Sequence, residues 1–338
     1  MERQLAAAPT VHGGDKSARV MELTGRKSGV PLLPSTSVGV GFRLPHLRDL
    51  LERDTGVDFL ELVTDNFLHL VEAPILAELS ARFPIVLHGV GLDLLGPRGL
   101  DEDYLERVAR LADRVDACLV TDHLAWTADE HVVHHELLPV PMCDETVELA
   151  AERARFVSRR IGRPFGLENP SSYLRWNDDE MTEWEFFERV CESAECGMLL
   201  DVNNVAVSAH NQGFDPVRYV DSIDLSRLVQ LHVAGQRGTS RTDGSIDSGD
   251  STDERGSTES VVLDGAPRPR EHDVRGAHDV ASHVVIDTHD AAPSSSVLDL
   301  LARVTARRRA PVLLEWDAHL HTFASMQREL VRVREALS

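Results

Sequence analysis

Histidines and carboxylates recur in this chain where short apolar runs stop. His88 closes Ile85-Val-Leu-His88, and Asp122 with His123 closes Cys118-Leu-Val-Thr-Asp122-His123. Glu168 ends Phe165-Gly-Leu-Glu168, Asp201 ends Met198-Leu-Leu-Asp201, His232 ends Val229-Gln-Leu-His232 and Glu315 ends Val312-Leu-Leu-Glu315. Ile286-Asp-Thr-His289 adds Asp287 and His289, and Glu61 lies inside Phe59-Leu-Glu-Leu-Val63. If these side chains meet, four or more carboxylates share one cavity, where they repel and lose hydration. Multivalent cations relieve that repulsion, and imidazole nitrogens bind zinc, iron, manganese or nickel as neutral ligands. Four histidines with four carboxylates exceed what one ion needs, so the set points to two or three metals. No cysteine belongs to it, which argues against structural zinc and for an open, reactive centre.

Each residue alone has a plainer role. A strand-end Asp or Glu is often a helix cap, and a lone histidine is usually a hydrogen-bonded polar group. The recurrence at successive strand ends is what favours metal. Asp122 reads either as a ligand or as the group that orients His123, and Asn204 as a neutral oxygen ligand or a turn residue. Glu61 either lines the cavity or pairs with Arg43. Asn66, Asn169, Trp126 and His210 are expected in the pocket or just behind it, and Trp316 could wall it. His46, His319 and His321 are weaker loop candidates, whereas His134, His135, His272, His278 and His283 read as solvated.

The elements that position these groups follow from the same runs. With Val38-Gly-Val-Gly-Phe42 they number eight, and most are continuous rather than alternating, as in parallel strands covered on both faces. Helical segments lie between them. The clearest follows Asp144, a candidate N-cap, with Val147, Ala150, Ala151, Ala154, Val157 and Ile161 at helical spacing. Eight strand–helix repeats predict an α/β fold, a (β/α)8 TIM barrel, with an open sheet as the alternative. In a closed parallel barrel every C-terminal strand end meets at one face, where active sites sit.

Residues 1–36 are rich in Ala, Gly, Ser, Thr and Pro and read as a flexible lead. Residues 236–283, after the seventh strand, hold the acidic, apolar-poor stretch Arg241-Thr-Asp-Gly-Ser-Ile-Asp-Ser-Gly-Asp and read as a disordered insertion. Residues 37–338 are otherwise expected to form one barrel domain. The net charge of −21 disfavours duplex nucleic acid, which needs a cationic surface. No apolar run is long enough for a membrane span. The four cysteines show neither CxxC spacing nor a disulfide framework, which fits a reducing cytoplasm.

In order along the chain, Gly39-Val-Gly-Phe-Arg43, Leu87-His-Gly-Val-Gly91, Thr121-Asp-His-Leu-Ala-Trp126, Leu167-Glu-Asn-Pro-Ser-Ser-Tyr173, Asp201-Val-Asn-Asn204, Gly213-Phe-Asp-Pro216, Gln230-Leu-His-Val-Ala-Gly235, Ile286-Asp-Thr-His289 and Leu314-Glu-Trp-Asp317 resemble the DUF692 family, the multinuclear non-heme iron-dependent oxidative enzymes. The resemblance implies a xylose-isomerase-like TIM barrel, two or three iron ions, dioxygen as co-substrate, and modification of a ribosomally made precursor peptide, often at cysteine. It also implies a separate protein that recognises the peptide's leader. Metal ligation carries over onto His88, His123, Glu168, Asp201, His232, Asp287, His289 and Glu315, and less firmly onto Asp122 and Asn204. Two departures stand out. Asn211-Gln-Gly213 replaces the Asn-His-Gly that members often carry, and the insertion precedes Asp287-Thr-His289, where a displaced loop would remove the third metal position. The competing function is a metal-dependent hydrolase or isomerase of the xylose-isomerase-like or abasic-site endonuclease type. Sugar isomerases usually want a lysine beside the metals, and the only lysines, Lys16 and Lys27, precede the barrel.

Overall fold

The structure, a computed structural model, describes residues 33–129, 131–235, 284–317 and 322–338. The expected lead up to residue 32, the insertion at 236–283 and the loop histidines His319 and His321 lie outside the described residues, as do His272, His278 and His283. The strands are β1 Val38–Gly41, β2 Leu60–Val63, β3 Ile85–His88, β4 Leu119–His123, β5 Trp126–Ala128, β6 Val133–Leu138, β7 Phe165–Glu168, β8 Gly197–Asp201, β9 Leu228–Val233 and β10 Val312–Leu314. Helices α1 Leu47–Glu52, α2 Pro74–Arg82, α3 Glu102–Arg114, α4 Asp144–Ile161, α5 Glu183–Ala194, α6 Val202–Gln212, α7 Pro216–Ser222, α8 Ser295–Arg307 and α9 Phe323–Ala336 follow the barrel strands in turn. Eight strands close in the order β1-β10-β9-β8-β7-β4-β3-β2, all neighbours parallel. The eight apolar runs are the eight barrel strands.

Strand side chains alternate between two environments. Ile85 and Leu87 of β3, Val120 of β4, Met198 and Leu200 of β8, and Val312 and Leu314 of β10 pack outward, in one large core with the helices. Their neighbours point inward. Phe59, Val86, Cys118, Leu119 and Leu313 make a separate small core inside the barrel, toward the N-terminal ends of the strands. One step further along the same inward faces, the chain places Glu61, His88, Thr121, Glu168, Asp201, His232 and Glu315, all buried. The barrel is therefore apolar at its floor and polar at its mouth. Two inward glycines of β1 make room: a Cβ on Gly39 would lie 2.6 Å from the Phe59 ring, and one on Gly41 3.1 Å from the Arg43 guanidinium.

The helix after Asp144 forms as expected, with all six apolar positions buried, though Cys143 rather than Asp144 is its cap. Gly162, in the left-handed conformation at φ 66°, ends it. The β5–β6 hairpin is absent from the sequence reading. Its register is irregular, and Trp126 packs against the large core. Asp93 holds it down by accepting from the N–H groups of Thr127 (2.6 Å) and Ala128 (3.2 Å). No helix among the described residues is long and apolar enough to cross a membrane, and the four cysteines are free.

Overpacking a filled core forces neighbours off their rotamers. Gly39→Ala should lower stability by about 1–3 kcal/mol, read by urea unfolding. An unchanged midpoint would show that Phe59 yields freely.

Candidate metal centre

The inward faces at the barrel mouth bring together side chains 227 positions apart, from His88 to Glu315. Three groups form in which one ligand-type atom from each residue lies within 4.8 Å of the others: His88, His123 and Glu168; Glu168, Asp201 and His232; Asp201, His289 and Glu315. Glu168 and Asp201 each belong to two groups. The three groups are thus one chain, joined by two shared carboxylates.

Each side chain has one polar atom held by the protein and another turned toward its partners. The His88 Nδ1 is 2.9 Å from the Thr121 hydroxyl, while Nε2 lies 3.2 Å from Glu168 Oε2. The Gly89 carbonyl is 3.1 Å from His123 Nδ1 and fixes that ring, leaving Nε2 3.5 Å from the same Glu168 oxygen. Glu168 Oε1 accepts from Asn204 Nδ2 at 3.4 Å, and Oε2 has no hydrogen-bond partner. Asp201 Oδ1 caps α6 by accepting from the N–H groups of Asn203 and Asn204, and Oδ2 is left without a partner. The cap and the site-facing oxygen belong to one carboxylate. His232 Nε2 lies 3.1 Å from Glu61 Oε2, which also accepts from Gln230 Nε2 at 2.7 Å. Its Nδ1 is 3.7 Å from Glu168 and 3.2 Å from Glu315, without a directed hydrogen bond. Buried polar atoms left unpaired are costly. Glu168 Oε2 faces the Nε2 atoms of His88 and His123, Oε1 lies nearest His232 Nδ1, and Asp201 Oδ2 is a third unpartnered atom among these residues. A cation would complete such donors, and oxygen with imidazole suits a divalent transition ion.

The electrostatics agree. Burial, followed by repulsion from His123 and His232, holds His88 well below the usual histidine range, and burial takes His123 down to about 4. Both are neutral at physiological pH, the form that ligates. Burial raises Glu168 well above the carboxylate range, and raises Asp201 to about 6. Burial opposes charge on His232 and His289 too, but the carboxylates of Glu61 and Glu168, and of Glu315 and Asp287, outweigh it and raise both well above the usual range. Burial also pushes Glu315 up, and His289 with His232 overcomes it, holding the carboxyl well below its usual range. Without metal, the cluster balances its charge by keeping protons.

The remaining expected residues divide. Asp287 stands outside the three groups, 2.8 Å from His289 Nε2, and accepts from Asn203 Nδ2 at 2.7 Å. Asp122 accepts from the His123 N–H at 2.7 Å and is buried, its carboxyl raised by that burial. Asn169 ties β7 to β8 by exchanging two hydrogen bonds with the Asp201 backbone. Glu61 supports His232, and Arg43 pairs with Asp317 instead of Glu61. Three expected residues stand outside the three ligand groups. Asn66 is exposed on the 3-10 turn after β2. His210 is exposed six residues beyond Asn204, on another side of α6. Trp126 donates to the Pro139 carbonyl at 2.9 Å and meets His134 edge-on, so it braces the hairpin. His46 is buried against Phe323 instead. Sequence reasoning missed Thr121, Gln230 and Asp317 as supports. Thr121 and Gln230 each lie two residues from a recognised histidine, on the same inward face, so the strand period alone would have found them, whereas Asp317 lies beyond the end of β10.

Two outcomes follow. Glu61→Gln keeps the shape but removes the charge that fixes His232 with Nδ1 toward the cluster, and should weaken metal binding by about 10–100-fold in a chelator competition. Glu168, His232 and His289 are all shifted toward the protonated form, and metal binds the deprotonated ligands, so uptake at neutral pH should release protons. Calorimetry in buffers of different ionisation enthalpy reads this. Below about pH 6 Asp201 is protonated as well, so affinity should fall on acidification. Binding that is independent of pH would contradict the charge pattern.

Known proteins resemble this chain along most of its length. A UPF0276 protein of Anaeromyxobacter sp. is 32% identical over 301 residues, 88% of this chain and 91% of that one. One from Rhizobium meliloti is 31% identical over 310 residues, 89% and 88%. One from Rhizorhabdus wittichii is 42% identical over 201 residues, 58% and 72%. Among solved structures, the 3-keto-D-glucoside 4-epimerase YcjR of E. coli superposes with a TM-score of 0.52 at 13% identity, over 88% of this chain and 99% of that one. A xylose isomerase-like TIM barrel protein from Mycobacterium smegmatis, in complex with magnesium, gives 0.50 at 12% identity, over 87% of each. At such identities the likeness shows the fold alone, a xylose-isomerase-like TIM barrel. Residues 37–338 match the family described as RiPP precursor modification enzyme MbnB/TglH/ChrH, that is, enzymes acting on ribosomally synthesised and post-translationally modified peptides. The chain belongs to that family.

Proposed function

We propose that this chain is a multinuclear non-heme iron enzyme that oxidises a ribosomally made precursor peptide at cysteine, with dioxygen as co-substrate. The observation that carries the reading is the linkage of three ligand groups through Glu168 and Asp201, which suits adjacent metals better than one isolated ion. His88, His123, Glu168, Asp201, His232, His289 and Glu315 would hold two or three ions. Asp287 and Glu61 would orient His289 and His232, and Asn204 would orient Glu168. Iron bound there would supply redox chemistry and a site for dioxygen and a substrate thiolate. The protein's own part is spacing, orientation and exclusion of water: His88, Glu168, Asp201 and His232 are all at most 3% exposed. The partners of this reading are a cysteine-containing peptide and a separate leader-recognition protein, in a reducing cytoplasm. A sugar-isomerase reading is weaker, because residues 37–338 contain no lysine.

Protein purified without oxygen and loaded with ferrous iron should change the mass of its cysteine-containing peptide only when dioxygen is admitted, and His88→Ala should abolish the change. Turnover by the zinc-loaded enzyme without dioxygen would overturn the reading in favour of hydrolysis or isomerisation.

A further inference from the structure

The segment bearing Asp287 and His289 cannot be placed by chain continuity. It returns to the barrel after the 48 residues 236–283, so something else must set where it lies. From 284 to 289 exposure alternates: Val284, Ile286 and Thr288 are exposed, whereas Val285, Asp287 and His289 are half-buried. That is the period of an extended strand, yet no strand among the described residues pairs with it. A slip of one residue would turn both Asp287 and His289 to solvent.

Asn211, at the C-terminal end of α6, supplies the missing pairing. Its Oδ1 accepts from the Val285 N–H at 2.9 Å, and its Nδ2 donates to the Val285 carbonyl at 2.9 Å. One side-chain amide thus satisfies both backbone groups of one residue, as a neighbouring strand would. Further along, the Tyr173 hydroxyl accepts from the Asp287 N–H at 3.0 Å, and the Asp317 N–H donates to the His289 carbonyl at 2.8 Å. His289 itself is left-handed at φ 44°, which closes the extended run. The Gly235 carbonyl accepts from the Ala291 N–H, and a Cβ on Gly235 would strike the Ala292 carbonyl at 2.2 Å, so the chain at 291–292 passes close over that glycine. Asn211 is the fastener at the upstream end of this segment.

We propose that Asn211 is a positioning residue: its two-point clamp on Val285 sets the register of 284–289, so that His289 faces Asp201 and Glu315. The metal part of this inference rests on the function proposed above; the register part does not. It also explains how the chain carries a long insertion without losing the third ligand group.

The test compares full-length wild type, Asn211→Ala and Asn211→Asp, the last keeping the acceptor for the Val285 N–H and losing the donor. Hydrogen exchange over 284–291 in the metal-free protein should quicken at least tenfold in the Ala variant and less in the Asp variant, with unchanged exchange in the barrel strands. After anaerobic iron loading, the Ala variant should hold one metal equivalent fewer than wild type and keep the rest. Unchanged exchange over 284–291, or faster exchange with the full metal complement retained, overturns the proposal. A wild type that binds no metal would overturn the proposed function, and the exchange comparison would still decide the clamp. If the Ala variant fails to fold, the Asp variant carries both measurements.

Discussion

Everything at the mouth of this barrel is arranged around buried negative charge. Two carboxylates about 4 Å apart repel by roughly 4 kcal/mol even at an effective dielectric of about 20. Glu168, Asp201 and Glu315 lie in one buried cluster, with Glu61 and Asp287 beside it. Such a cluster survives folding only if protons, cationic histidines or metal ions balance it. Without metal, burial pushes Glu168 toward the protonated form, while His289 and His232 favour the charged form of Glu315. The sharing of Glu168 and Asp201 between groups would let a few carboxylates balance several cations.

The barrel makes that cluster possible by separating two tasks on one strand. Outward side chains such as Leu87, Leu200 and Leu314 supply the apolar burial that stabilises the fold. Inward side chains can then be spent on chemistry. The supports beneath them are equally specific. Thr121, the Gly89 carbonyl and Glu61 each fix one ring nitrogen, so that the opposite nitrogen meets the carboxylates. Asp201 serves the helix and the site with different oxygens, which ties the geometry of the centre to the start of α6.

Much of this was legible in the residues. Parallel strands covered on both faces leave continuous apolar runs, and all eight emerged. Their polar endings gave the histidines and carboxylates, because a closed barrel must gather them at one rim. What escaped notice has physical reasons. The β5–β6 hairpin is held by Asp93 from a different loop, so its local pattern is weak. Gln230, Thr121 and Asp317 look ordinary until the inward face of each strand is known. His210 and Trp126 were drawn in by nearness in sequence, whereas helix rotation and the Pro139 carbonyl turn them elsewhere. The 284–289 segment shows its alternation only when Asn211 is seen to stand in for a strand.

The central claim is that the ligand groups linked through Glu168 and Asp201 would hold adjacent metal ions. Anomalous diffraction at the iron edge, on crystals of protein loaded without oxygen, tests it most directly. The account predicts two or three peaks in a row, with neighbouring peaks sharing a carboxylate of Glu168 or Asp201. No peak there, or a single ion touching neither carboxylate, would contradict it.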